Sequence, residues 1–195
     1  MPTVKYRKDL APLLRKPVLG PEDLQAAGIP PRSAKEILRS LARAGKLARI
    51  ERGKYTAVDD PIVVAGHITE PCYLSLWTAL SLRKLTDQVP FAIDVLTTRR
   101  RFRSRLAFAG VPIRFHTIPP RLFYGYEFLV RDSHRVPVAR PEKIVIDALA
   151  LGGIPRSELE QALRAADPAL LKRYAALAGK RVKKEVEALC SRKRK

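Results

Sequence analysis

The sequence predicts a mixed α/β (α+β) fold. It begins with an N-terminal winged helix-turn-helix over 1–60. A mixed α/β domain with terminal helices follows over 61–195, its helical part beginning at about 151. Three observations predict this. Within the first 60 residues, three helical patterns precede a period-2 run that turns at a glycine. Beyond Pro61, short apolar strand-like segments alternate with helical ones. After about residue 151 only helical patterns remain.

In order along the chain, Lys8 to Lys16 is a short helix with Leu10, Leu13 and Leu14 in one apolar stripe. In "GPEDLQAAG", Pro21 suits a first helical position. Glu22 and Asp23 suit the positive helix end, and Gly28 suits a left-handed stop. "IPP" forces an extended turn. Ser33 and Glu36 read as an S-x-x-E capping box opening the next helix, with Ala34, Ile37, Leu38 and Leu41 on its apolar face and Gly45 at its end. "KLARIERGKYTAV" then sets Leu47, Arg49 and Glu51 against Ala48 and Ile50 and turns at Glu51–Gly53, a β-hairpin. Helix, short helix, turn, amphipathic helix, hairpin is the winged-helix order.

Past "DDP", "PIVVAGHI" is a short apolar segment and Tyr73 to Leu85 reads as a helix. "FAIDVLTT", "IRFHTI", "YEFLVRD" and "RVPVA" read as strands, the last two joined in a hairpin at Asp132–His134. "RPEKIVIDALALGG" is a helix with Pro141 near its start and a glycine pair at its stop. Helices over about 155–166 and 168–189, the second broken near Gly179, complete the chain.

Composition bounds the partner. Lys and Arg number 38 against 19 acidic residues, giving a net charge of +19 and a pI near 10.5. The excess is spread over 1–60, 61–150 and 151–195 alike. Such a field favours a polyanion, and double-stranded DNA is the expected one. Hydrophobic content of 46% excludes a disordered basic tail. No apolar run is long enough to span a bilayer and no signal-peptide pattern is visible, so a cytoplasmic protein without a membrane partner is expected. Cys72, Cys190 and the scattered His67, His116 and His134 match no metal or redox spacing. No metal and no cofactor is therefore expected. Asn is absent and Pro occurs 16 times, a pattern of thermophiles or of GC-rich genomes.

The candidate binding residues lie opposite the apolar face of the third helix. Arg32, Lys35, Glu36, Arg39, Ser40 and Arg43 share that side, with Ser33 at the N-terminus. N-terminal residues of a recognition helix reach base edges, so Arg32, Lys35, Glu36 and Arg39 are the base-reading candidates. Glu36 is also claimed by the capping box. Arg43, and Arg52 and Lys54 at the hairpin tip, are phosphate candidates.

"TTRRRFRSRLAF" interleaves Arg with Phe. Extended, it would place Arg99, Arg101, Arg103 and Arg105 on one side, with Arg100 beside them: a second basic ridge for phosphate or for an acidic partner, or else a charge-guarded edge strand or a mobile loop. The terminal "RKRK" reads as a solubilising tail. Asp94, Glu127, Glu142 and Lys143 could form a nuclease cluster, but Glu142 and Lys143 are adjacent and diverge by about 100° on a helix. Lys143 and Asp147, four apart, read instead as a pair. No nucleophile–base motif or phosphate-cradling glycine loop is present, so no enzyme is expected.

"AGKLARIERGKYT", "PCYLSLWTALSLRKLTDQVP", "IRFHTI" and "VARPEKIVIDAL", in that order over most of 20–150, resemble the AbiEi-type antitoxins of abortive-infection toxin–antitoxin operons. The resemblance implies a DNA-binding N-terminal domain that represses its own operon at repeated sites. It also implies a C-terminal domain that antagonises a nucleotidyltransferase toxin encoded beside it. Where that family has a turn glycine, this chain has Arg83 and Lys84. The alternatives are a nuclease-like nucleic-acid enzyme and a one-component, ligand-responsive repressor.

Overall fold

The computed structural model describes residues 6–192. Its N-terminal elements are α1 (Arg7–Leu13), α2 (Pro21–Ala26), α3 (Pro31–Arg43), β1 (Ala48–Glu51) and β2 (Lys54–Thr56). Gly28, at φ +82°, ends α2 and lets Ile29 turn back into the core. Helix α3 begins two residues before Ser33, with Pro31 in its first turn and no side-chain cap. Proline there has no N–H to satisfy and already has a helical φ, so no capping box forms and Ser33 sits inside the first turn. The apolar face is the expected one: Ala34, Ile37, Leu38 and Leu41 are buried. They form one core with Leu10, Leu19, Leu24, Ile29, Leu47 and Tyr55.

The hairpin turns at Arg52–Gly53, with Gly53 at φ +79°. The simple alternation expected in β1 is not kept. The register shifts between Arg49 and Glu51, leaving Ala48 and Arg49 both exposed. Leu19 and Tyr55 exchange two backbone hydrogen bonds of 2.9 Å, an isolated antiparallel bridge that ties the segment before α2 to β2.

The larger region comprises α4 (Pro61–Ala65), β3 (Cys72–Leu74), α5 (Leu76–Leu82), β4 (Ile93–Thr97), β5 (Arg105–Phe108), β6 (Val111–Thr117), β7 (Tyr126–Arg131) and β8 (His134–Ala139). Helices α6 (Pro141–Leu151), α7 (Glu160–Ala165), α8 (Pro168–Ala178) and α9 (Lys180–Arg192) follow. One six-stranded sheet has the order β5-β6-β4-β3-β8-β7, mixing parallel and antiparallel pairs. Helix α6 packs against β8, α5, α8 and α9. Gly179 separates α8 from α9, as expected.

Two expectations are corrected here. The helix read over Tyr73–Leu85 begins only at Leu76; Cys72–Leu74 is an inner strand buried between β4 and β8. Pairing on both sides overrides the helical spacing that Leu74 shares with Trp77 and Leu80. The arginine run is not one extended strand either. Residues 98–104 form a loop, and β5 starts at Arg105. Of the terminal basic run, 193–195 lie outside the described residues.

The N-terminal core and the sheet core are joined without a long linker. The Asp60 carboxylate caps α4, accepting the Ile62 N–H at 2.7 Å, and also pairs with Arg131. Val18, Ile50 and Val58 pack against the sheet-region core.

Candidate nucleic-acid interface

Helix α3 turns Arg32, Lys35, Glu36, Arg39, Ser40 and Arg43 to solvent, while Ser33 is half-buried. The cause is the apolar stripe opposite: burying Ile37, Leu38 and Leu41 fixes the helix rotation. Lys35 and Arg39, one turn apart, open onto a cleft of about 270 Å³ that they share with Arg49, Arg52 and Tyr55. Two of the recognition-helix candidates and the hairpin thus border one depression, while Arg32, Glu36, Ser40 and Arg43 lie outside its lining. Arg49 is a member that sequence reasoning missed. It was visible only as one position in an alternating run, and the register shift exposes it.

The two tip cations have different roles. Arg52 is exposed. Lys54 turns back: its ammonium lies 2.9 Å from Glu51 Oε1 and donates to the Ile68 carbonyl of the sheet region. Lys54 therefore ties the hairpin to the rest of the molecule and does not project from the tip as expected. Arg101 reaches the same acid, with Nη2 2.6 Å from Glu51 Oε2. Burial pushes the Glu51 carboxyl up, but Lys54 and Arg101 together hold it below the ordinary glutamate value. The carboxylate lining this part of the surface is therefore ionised and neutralised from behind.

The expected basic ridge divides. Arg101 is turned inward: its guanidinium lies 4.0 Å over the Phe115 ring and donates to Thr69 Oγ1, and only 11% of its side chain is exposed. A loop, unlike a strand, need not alternate, so its middle arginine can face the protein. Arg99, Arg100, Arg103 and Arg105 are exposed, with Arg99 Nε donating to the Glu70 carbonyl at 3.2 Å.

The carboxylates weighed as a nuclease cluster serve separate partners. Asp94 is buried, accepting from Arg114 Nη2 at 3.2 Å with His116 Nε2 at 2.9 Å. Glu127 pairs with Arg83 and Arg140. Glu142 accepts the Asp167 N–H at 2.7 Å. Lys143 and Asp147 form the expected pair, 2.5 Å apart and fully buried on α6. Asp147 also accepts from Ser75 Oγ at 2.7 Å and Tyr73 OH at 3.2 Å. Burial pushes the Asp147 carboxyl up against the pull of these donors, and pushes the Tyr73 phenol up as well. Burial likewise pushes the Cys72 thiol up to about 12, so it is an inert thiol near neutral pH. Among the described residues, no group of three His, Cys, Asp or Glu could hold a metal ion. No helix among them is long and apolar enough to cross a membrane.

Residues 9–58 match the family model described as "Transcriptional regulator, AbiEi antitoxin". The matched segment runs from α1 through the hairpin, so the AbiEi-like part is the one that carries the α3–hairpin cleft. Among solved structures, the crystal structure of the RV2827C protein from Mycobacterium tuberculosis is similar, with a TM-score of 0.52 and 18% identity. The match covers 85% of this chain and 69% of that one. At this identity the likeness concerns the fold: the AbiEi-like segment and the sheet region together resemble one known architecture. No curated protein sequence matches.

Proposed function

We propose that this protein is a DNA-binding autorepressor and the antitoxin of a toxin–antitoxin pair whose toxin is a nucleotidyltransferase. The observation that carries the reading is the cleft shared by Lys35, Arg39, Arg49 and Arg52 on the segment that matches the regulator family. A helix that buries one stripe and offers cations on the other suits the major groove, and a hairpin beside it suits the phosphate backbone. Arg32, Lys35, Glu36 and Arg39 read bases. Ser33 and Ser40 flank them, and Arg43, Arg49 and Arg52 hold phosphates. The partner is the chain's own operator, probed at repeated sites, and the place of action is the cytoplasm. The antitoxin activity belongs to the sheet region over 61–195.

Footprinting of the full chain on the DNA upstream of its own gene tests the first half. Arg39→Ala should cost roughly 1–3 kcal/mol on the preferred site and relax sequence choice there. An equal loss on every sequence would make Arg39 a phosphate contact. Growth rescue from the neighbouring gene's product tests the second half. If the neighbouring product is not toxic, or the full chain gives no rescue, the protein is a regulator only.

A further inference from the structure

The loop over 98–104 has features that the α3–hairpin cleft does not use. It is pinned at several points. Thr97 Oγ1 accepts the Arg99 N–H at 3.0 Å, Arg99 Nε holds the Glu70 carbonyl, and the Phe115 N–H donates to the Ser104 carbonyl at 2.8 Å. Between these points Arg101 is locked inward on Glu51, Thr69 and Phe115. The consequence is that Arg100, Phe102 and Arg103 are pushed outward together. Phe102 has a relative exposure of 102%, so its whole ring is in solvent between two cations.

These side chains do not stand alone. Arg100, Phe102 and Arg103 line a cleft of about 840 Å³ whose opposite wall includes Arg49 and Arg52 of the hairpin. Arg49 and Arg52 also line the smaller cleft with Lys35 and Arg39. One basic surface therefore runs from α3 across the hairpin to the 98–104 loop. The carboxylate that lines the larger cleft, Glu51, is neutralised by Lys54 and Arg101.

We propose that Arg100, Phe102 and Arg103 form a third DNA-contacting element that grips duplex DNA on the hairpin side of the site read by α3. The two arginines neutralise phosphates, and the Phe102 ring lies against a sugar or base step in the adjoining minor groove. The chemistry favours duplex DNA over a protein partner. The patch shares Arg49 and Arg52 with the α3–hairpin cleft, and its one carboxylate, Glu51, is neutralised, so the surface presents cations along its length to a polyanion. An apolar wedge beside minor-groove arginines is a known way of gripping duplex DNA. Arg101 is the positioning residue: it lines the base of the cleft with only 11% of its side chain exposed, and its guanidinium is taken up by Glu51, Thr69 and Phe115, which sets the loop against the hairpin. This inference rests on the reading of α3 and the hairpin as a DNA-binding face.

The test uses the full chain and the upstream duplex, titrated by fluorescence anisotropy over a range of salt. Arg100→Ala/Arg103→Ala should flatten the log–log salt dependence by about 1.8, from about 0.9 for each lost phosphate contact. At 0.15 M salt that corresponds to roughly 30-fold weaker binding, with sequence preference unchanged. The corresponding double lysine variant should keep the slope. Phe102→Ala should weaken binding with an unchanged slope and shorten the hydroxyl-radical footprint at the hairpin side. These positions are exposed, so melting temperatures should match wild type and exclude misfolding. An unchanged slope and footprint in the Ala variants, with Arg39→Ala still impaired, overturns the third element and leaves the α3 reading standing. So does lost growth rescue with unaltered DNA binding, which would assign the loop to a protein. Absence of any duplex binding by the wild-type chain overturns both.

Discussion

Glu51 shows how one carboxylate can face the proposed DNA-binding surface without opposing it. Lys54 and Arg101 hold its carboxyl below the ordinary value, so the folded state binds the ionised form more strongly than the unfolded state does. The stabilisation is complete above the unfolded pKa of about 4.3 and is lost as pH falls through the lowered folded value. Glu51→Gln should therefore be less stable than wild type by on the order of 1 kcal/mol near neutral pH. That difference should close in acid, as followed by urea unfolding at several pH values. Lys84 presents a backbone effect in place of an electrostatic one. It occupies the left-handed region, φ +57°, which favours glycine. A side chain there costs about 1–2 kcal/mol, partly offset by the extra unfolded-state freedom of glycine. Lys84→Gly should raise stability by up to about 1 kcal/mol, a melting-temperature rise of a few degrees.

Helix α6 is the element on which the sheet region is assembled. It is buried over most of its length, and its Lys143–Asp147 pair faces the hydroxyls of Tyr73, in the middle of β3, and of Ser75, which precedes α5. That network registers α6 against β3, 72 to 74 residues apart in sequence. Removing one partner of a buried pair leaves an uncompensated charge, at a cost of about 3–5 kcal/mol. Lys143→Met should destabilise by that amount in urea melts. Lys143→Met/Asp147→Leu should recover part of the loss, the remainder being the orphaned hydroxyls. A double variant no better than the single one would show that packing, not charge, dominates at this site.

At the scale of the molecule, the hairpin serves two neighbours. Its Arg49 and Arg52 side faces the clefts, while Lys54 and Glu51 bind the sheet region. The two tip cations should therefore separate in experiment. Arg52→Ala should flatten the salt dependence of DNA binding by about 0.9 and leave the melting temperature unchanged. Lys54→Ala should lower the melting temperature with little change in slope. A parallel effect of both substitutions on the slope would return Lys54 to the DNA surface. Reversing Arg101 to Glu would not test a surface function, because it would place a second carboxylate against Glu51.

Local order was legible wherever the determinants were local. The apolar stripe of α3, the left-handed glycines at 28, 45 and 53, the β7–β8 hairpin and the Lys143–Asp147 spacing all follow from neighbours within a few residues, and all are present in the structure. The sequence by itself determined a winged helix-turn-helix, a mixed α/β partner and a strongly basic chain. What only the tertiary structure decided depends on residues far apart. Cys72–Leu74 became a strand because β4 and β8 flank it, against the helical spacing of Leu74 with Trp77 and Leu80. Arg101 and Lys54 became internal ties because Glu51, Thr69, Phe115 and Ile68 meet at the junction. Arg49 joined the candidate site through a register shift. A side chain's periodicity records which face it occupies within its own element. Which charge it meets across 50 residues of chain is settled only when the two cores dock, since leaving a buried or half-buried ion unpaired costs more than the local preference it overrides.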